Sequence, residues 1–300
     1  MSETVVANPP GPARRLSRLL SAVRWDEVLV LQGAPLIGTM FSVGALTVDK
    51  ILLLAIFAVG SCCLVGHVFV LNDWSGIDGD LRDPNRAART FAAKGVSRTE
   101  FGFLAIALLA SSLLLFALLG RAPLGLALAI AGLSALYSAP LFHMKGVPLL
   151  NSLLHFAGGA VHFLLGYATF VAIDARGIAV SSFFGLVFTA GHLTHEARDC
   201  EGDELNVIRT NAVAFGRTRS FFAGLFLFTA AYALLVALAA YGAIPHVLMV
   251  AAVLYPVHLL ASLRALRAGL CFESLSRLQG CYRALYAVIG VMMVVTTRLA

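Results

Sequence analysis

Two short windows hold more than half of the acid in this sequence. Of 16 Asp and Glu residues, four lie between Asp73 and Asp83, in LNDWSGIDGDLRDPNR, and five between Glu196 and Glu204, in HLTHEARDCEGDELN. If the second window is helical, His195, Asp199 and Asp203 stand at i, i+4 and i+8 on one face, with Glu196 beside them. The first window repeats that spacing with Asn72, Gly76 and Asp80, and adds Asp73 seven residues before Asp80. Like charges stacked this way repel, more strongly where water is scarce, so a chain that keeps them calls for a cation. Oxygen-only ligands suit Mg²⁺, which binds through one or two carboxylates and leaves its other positions to water and phosphate oxygens. Around these acids lie Arg86, Arg89, Lys94, Lys145, Arg198 and Arg209, the fixed cations that a metal-bound phosphate would also meet. A solvated charged loop is the alternative, and it explains one window better than two matching ones.

The elements that must position these residues are apolar. Hydrophobic residues make up 59% of the 300 positions and charged residues 13%, with a mean hydropathy of +0.87, a composition suited to lipid and not to a soluble domain. Nine runs are long enough to span a bilayer: 28–46, 51–71, 101–119, 124–139, 149–172, 178–194, 221–240, 243–263 and 285–297. The expected fold is therefore an all-α polytopic bundle of about nine transmembrane helices, comprising residues 25–300, after a basic tail at 1–24 whose first dozen residues are polar and Pro-rich. The first acidic window follows the second run and the second window follows the sixth.

Charge sets the orientation. With the N-terminus in the cytoplasm, 18 of the 22 Lys and Arg fall inside and 4 (Lys50, Arg121, Arg176 and Arg298) outside, as the positive-inside rule requires. Both acidic windows then face the cytoplasm, and the net charge of +6 reads as topology in an inner, plasma membrane and excludes a nucleic-acid partner. The first helix reads as uncleaved, because no small-residue cleavage site follows it. Cys62 and Cys63 fall inside a span, and Cys200, Cys271 and Cys281 at or near the cytoplasmic side, so no disulfide framework is expected.

The two windows resemble the signatures of the UbiA superfamily of intramembrane prenyltransferases, NDxxDxxxD after the second helix and DxxxD after the sixth. Asn72 and Asp73 open the first and Asp80 closes it, with Arg89 nine residues on. Asp199 and Asp203 form the second, followed by a Thr210 to Gly216 tail, and YSAPLFHMK between them is similar to that family's YSxPPxRxK. The resemblance implies helices around a central cavity in which Mg²⁺ and the diphosphate of an isoprenoid lie between the windows. It implies Asp73, Asp80, Asp199 and Asp203 as catalytic residues, these four with Asn72 as metal ligands, and Asn72, Arg89, Tyr137, Lys145, His195 and Arg198 as substrate-binding residues. The partner would be a hydrophobic or aromatic acceptor that attacks the allylic carbon, inside the lipid bilayer and away from water.

The chain also departs from that pattern. Gly76 stands where the middle Asp belongs, His143 replaces an Arg, and His195 and His192 occupy places usually held by Lys and Tyr. Asp78 is the expected substitute for the lost carboxylate, provided that Gly76 and Gly79 let the chain leave the helix early. His155 and His162, seven residues apart on one face of the fifth run, read either as polar packing or as a cavity wall that orients the acceptor. Two other functions compete: a UbiA-like protein that has lost catalysis and only binds lipid, and a transporter, which would hold its acids near the bilayer midplane.

Overall fold

The computed structural model describes residues 12–299, and every regular element among them is helical. The polar tail before Pro12 lies outside the described residues, while the basic stretch after it forms α1 (Pro12–Ala22). There follow α2 (Trp25–Leu31), α3 (Gly33–Ser42), α4 (Val48–Asp80), α5 (Arg98–Leu119), α6 (Arg121–Ser138), α7 (Leu150–Tyr167), α8 (Ala175–Leu205), the short α9 (Asn211–Phe215), α10 (Arg217–Ala240), α11 (Tyr255–Arg267) and α12 (Phe272–Leu299).

Seven units among the described residues are long and apolar enough to cross a membrane: α4, α5, α6, α8, α10, α12, and a 22-residue unit in which a 3₁₀ stretch, His246–Leu254, runs directly into α11. The two remaining runs expected from the sequence are helical with altered proportions. Run 28–46 is broken at Gln32 into α2 and α3, because Pro35 has no N–H to return to the Leu31 carbonyl. Run 149–172 becomes the 18-residue α7, in which Asn151, Ser152, His155 and His162 dilute the apolar character. The expected bundle of about nine is thus seven spans, one broken helix and one polar helix, and the chain is a multi-pass membrane protein.

Burial ranks the helices by position. In α8, 61% of the spanning window is buried, against 17% in α5, so α8 is central and α5 peripheral, with Phe103, Ile106, Leu114 and Leu118 facing outward. The central helix packs most extensively on α7 and α10, and α4 packs on α5. Apolar side chains gain little from leaving lipid for another apolar surface, so close backbone approach must do much of the work of association. It does so between α3 and α7. A Cβ on Gly166 would stand 1.8 Å from the Pro35 carbonyl oxygen, and one on Gly38 would stand 2.1 Å from that of Phe163.

This crossing yields a stability prediction. Gly166→Leu should destabilise the detergent-purified protein by about 3 kcal/mol or more, the upper end for overpacked sites, since the obstacle is backbone and cannot rotate away. An unchanged thermal melt would mean that α3 and α7 do not cross there.

Candidate active site at the joined ends of α4 and α8

Both acidic windows lie on the last turns of long helices. The second run extends as α4 through Asp80, and the sixth extends as α8 through Leu205. The two ends are tied by Asn206, whose Nδ2 donates to the Gly79 carbonyl at 3.2 Å and to its own helix's Gly202 carbonyl at 2.9 Å. Between them lies a cavity lined by Asn72, Ser75, Gly76, Asp80 and Asp83 on one side and by Gly202, Asp203 and Asn206 on the other. Tyr137, Ser138, His143 and Lys145, from the end of α6 and the turn after it, close the third side.

The charges in this cavity neutralise one another across the two windows. Arg86, in the loop after α4, donates from Nη1 to Asp80 Oδ1 at 3.0 Å and from Nη2 to Asp199 Oδ2, and its Nε lies 3.5 Å from Asp83 Oδ2. Burial opposes the guanidinium charge, yet the Asp199 and Asp80 carboxylates more than offset it and hold Arg86 above the ordinary arginine range. Lys145 Nζ stands 3.4 Å from Asp203 Oδ1. Arg198 grips its neighbour Asp199 through Nε at 2.7 Å and Nη2 at 3.0 Å, and also donates to Gln279 on α12.

Several residues read from the sequence take other places. Asn72 lines the cavity and donates to Ser138 Oγ at 3.1 Å. Asp73 pairs with Arg24 at 2.8 Å, outside the cavity lining. Arg89 ends a 3₁₀ turn and is exposed, so Arg86, three residues earlier, is the arginine that reaches the cavity. His195 turns toward α12, where Tyr282 Oη lies 3.1 Å from its Nε2.

Asp78 needs correction. The helix does not end at Gly76 or Gly79, so the Asp78 side chain projects outward, 69% exposed and 3.3 Å from Arg98. The carboxylate that enters the cavity is Asp83, whose side chain is only 7% exposed. It sits against Gly202, where any Cβ would come within 2.4 Å of Asp83 Oδ2. The sequence offers one sign of this, a glycine immediately before Asp203.

Whether these residues suit Mg²⁺ can be judged from their donors. Three lining carboxylates, Asp80, Asp83 and Asp203, with Asp199 behind Arg86 and the Asn72 amide, supply hard oxygen ligands, and two further buried oxygens in the lining, Ser75 Oγ and Asn206 Oδ1, have no hydrogen-bond partner. Among the described residues no three His, Cys, Asp or Glu side chains form a ready-made cluster, because Arg86 and Lys145 stand between the carboxylates. The donor set fits the ion. The cavity is small, about 40 Å³, room for roughly two or three waters, and Arg86 fills part of it by bridging Asp80 and Asp199.

Behind the cavity, a hydrogen-bond network around one buried carboxylate fixes α7, α8 and α9. The buried Glu196 carboxylate accepts from Asn151 Nδ2 at 2.6 Å, and from Asn211 Nδ2 at 2.8 Å and backbone N at 3.1 Å. Asn151 Nδ2 also donates to the Lys145 carbonyl at 3.1 Å, so the network positions the backbone that carries the cavity's lysine.

Comparison with known proteins identifies the family and the fold. The model of the UbiA prenyltransferase family matches residues 34–269. Among solved structures, the apo form of a UbiA homolog from Aeropyrum pernix K1 is 20% identical with a TM-score of 0.72, covering 91% of this chain and 98% of that one. A UbiA homolog from Archaeoglobus fulgidus bound to GPP and Mg²⁺ is 16% identical with a TM-score of 0.69, covering 92% and 99%. A digeranylgeranylglyceryl phosphate synthase is 16% identical with a TM-score of 0.68, covering 95% and 99%. At these identities the structures establish the shared fold. A comparison with curated proteins finds no sequence match.

The network predicts a test of its own. Asn211→Ala strips Glu196 of its Nδ2 donor, leaving the backbone N–H in place, and should cost about 1.5–3 kcal/mol, the scale of a hydrogen bond to a charged group. Glu196→Gln should also destabilise, because its amide nitrogen replaces one of two accepting oxygens and meets an Asn donor with a donor. Equal melting temperatures for Asn211→Ala and wild type would show that Glu196 is not held this way.

Proposed function

The chain belongs to the UbiA prenyltransferase family, and from that premise we propose that it transfers a prenyl group from an isoprenyl diphosphate to a hydrophobic or aromatic acceptor, with Mg²⁺, at the cytoplasmic end of the bundle. The observation that carries this reading is the cavity whose two opposite walls are the two acidic windows. A lipid-binding relative without catalysis has no need for the largely buried carboxylates of Asp83, Asp199 and Asp203 beside the half-buried cations Arg86 and Lys145. A transporter would hold its acids near the midplane, whereas these lie on terminal helix turns.

In this reading Asn72, Asp80, Asp83, Asp199 and Asp203 hold Mg²⁺, with Asp73 behind them against Arg24. The bound ion supplies charge neutralisation for the departing diphosphate. Lys145 exchanges its contact with Asp203 for a phosphate oxygen, and Arg86 exchanges Asp199 for another, so the fixed cations already in place meet the charge that develops as the allylic C–O bond opens. Arg198, locked to Asp199 and Gln279, keeps the second window oriented. Tyr137 and the apolar helix walls exclude water from the allylic carbon, so that the acceptor, and not water, forms the new bond. The 18-to-4 distribution of Lys and Arg supports a cytoplasmic N-terminus and a plasma-membrane location.

With geranyl diphosphate, Mg²⁺ and an acceptor panel, diphosphate release should fall by about 100-fold or more in Asp83→Ala and Asp203→Ala, the usual scale for a lost charge-stabilising group. Asp78→Ala should stay within about twofold of wild type, as expected for an exposed ion pair. Full activity in Asp83→Ala would remove Asp83 from the site, and full activity in both cavity variants would remove the cavity itself. Separately, Arg86→Gln leaves its carboxylates unneutralised, so Mg²⁺ should raise the melting temperature of this variant more than that of wild type. An equal rise would place Arg86 outside the metal's reach.

A further inference from the structure

A stacked pair of histidines stands beside the cavity without a role in the scheme above. The rings of His155 on α7 and His192 on α8 lie 3.7 Å apart, centre to centre, and within 8° of parallel. Tyr137, which lines the cavity, meets His155 edge-on at 4.9 Å and His192 at 6.2 Å. The pair is therefore one aromatic ring removed from the place where the diphosphate is held. Close packing of α7 on α8 fixes this geometry, because a Cβ on Gly159 would come within 2.6 Å of the Phe184 carbonyl oxygen.

The tautomer of His155 follows from its partner. Its Nδ1 lies 2.8 Å from the Asn151 carbonyl oxygen, and since a carbonyl can only accept, Nδ1 carries the proton and Nε2 of the neutral ring is a bare acceptor. Asn151 is itself clamped by Glu196 and Asn211, so the direction of that lone pair is fixed by the network behind it. The neighbouring His192 has its Nε2 3.2 Å from Glu196 Oε1, which draws the second imidazole toward the carboxylate. No protein donor among the described residues approaches His155 Nε2. His162, one face-repeat further along α7, bonds back to the Gly158 carbonyl in the same way and also has an unpartnered Nε2, but it packs near Phe188 and no ring connects it to the cavity, whereas His155 meets the cavity-lining Tyr137. A histidine kept only for packing beside Tyr137 would be served as well by Phe, whereas an oriented and unclaimed acceptor atom calls for a donor.

Resting on the prenyl-transfer reading, we infer that His155 binds the acceptor through Nε2 and that the acceptor carries a hydroxyl group, the donor of that hydrogen bond. His192 and Glu196 are then positioning residues that hold the imidazole flat and aimed past Tyr137. A site built around a hydrogen bond to hydroxyl discriminates against an analogue lacking it, because the analogue leaves a buried polar atom unpaired.

The test uses the full-length protein in detergent with labelled geranyl diphosphate and Mg²⁺. Its acceptors come in matched aromatic pairs that differ only in hydroxyl against methoxyl, with the ring carbon that is prenylated present in both members. Wild type should prefer the hydroxyl members by roughly 10- to 100-fold in kcat/KM. His155→Leu should raise the acceptor KM about tenfold or more and reduce that preference to within about threefold, with binding of geranyl diphosphate unchanged. His155→Gln, which keeps an acceptor atom, should restore part of the preference. A purely structural role for His155 would lower folding yield and kcat in both variants without touching the hydroxyl preference. Equal use of both members by wild type, preference retained in His155→Leu, or no product from any hydroxyl member while geranyl diphosphate still binds with Mg²⁺ would each overturn the inference. Failure to bind geranyl diphosphate at all would instead overturn the prenyl-transfer reading beneath it.

Discussion

Carboxylates brought together where water is scarce must be neutralised, and the architecture of this protein turns on how that is done. Asp80, Asp83 and Asp199 come from parts of the chain more than a hundred residues apart and meet on a single guanidinium, that of Arg86. Such pairs gain from the low dielectric only if the desolvation of both partners is recovered by hydrogen bonds. Here one planar fork reaches Asp80 and Asp199 at once, which is geometry a lysine could not supply. The same arrangement makes the contact exchangeable: a divalent ion can take over the carboxylates, and the released arginine then faces the anion that the ion brings.

That exchange requires the carboxylates to stay in place while the arginine moves, and the helices provide the difference in stiffness. Asp80 and Asp199 are on the long helices α4 and α8, which are bridged at their ends by Asn206. Arg86 is in the loop between α4 and α5, where a change of rotamer disturbs no helix. Lys145 lies between these extremes, in a turn whose carbonyl is held by Asn151 and hence by Glu196. Glu196 is a buried charge satisfied entirely by fixed neutral donors and a nearby imidazole, so it lends rigidity to the wall opposite the moving loop.

The legible parts of the sequence were those governed by local periodicity. Asp199 and Asp203 share a helix face because four residues make about one turn, and helix α8 continues through both. The long apolar runs announced the spans, and only Pro35 and the polar residues of α7 altered their form. What could not be read was which side chain from a non-helical stretch would turn inward. Arg89 and Arg86 differ by three residues in a loop with no period, and the structure buries the second and exposes the first. Asp78 and Asp83 were equally ambiguous, for a reason that is clear in three dimensions. Asp78 is on the outer face of a helix that does not stop at its glycines, whereas Asp83 lies beyond the helix end, where the chain turns back toward Gly202.

The displaced carboxylate also bears on how such a site can change without being lost. At Gly76 an added Cβ would stand 3.8 Å from Asp80 Oδ2, an ordinary contact, so a carboxylate there would lie one turn from Asp80 on the same helix face. Moving the charge to Asp83 delivers it from a loop and relieves the one-turn repulsion along α4. It also demands space on the opposing helix, which Gly202 leaves open. Asp83 and Gly202 are therefore physically coupled: a side chain at 202 would meet the Asp83 carboxylate, so one of the two must move or change. A carboxylate delivered from the loop enters the cavity at a different angle from one carried on the α4 face, so the shape of the donor set depends on where the chain leaves the helix as much as on how many acids it holds.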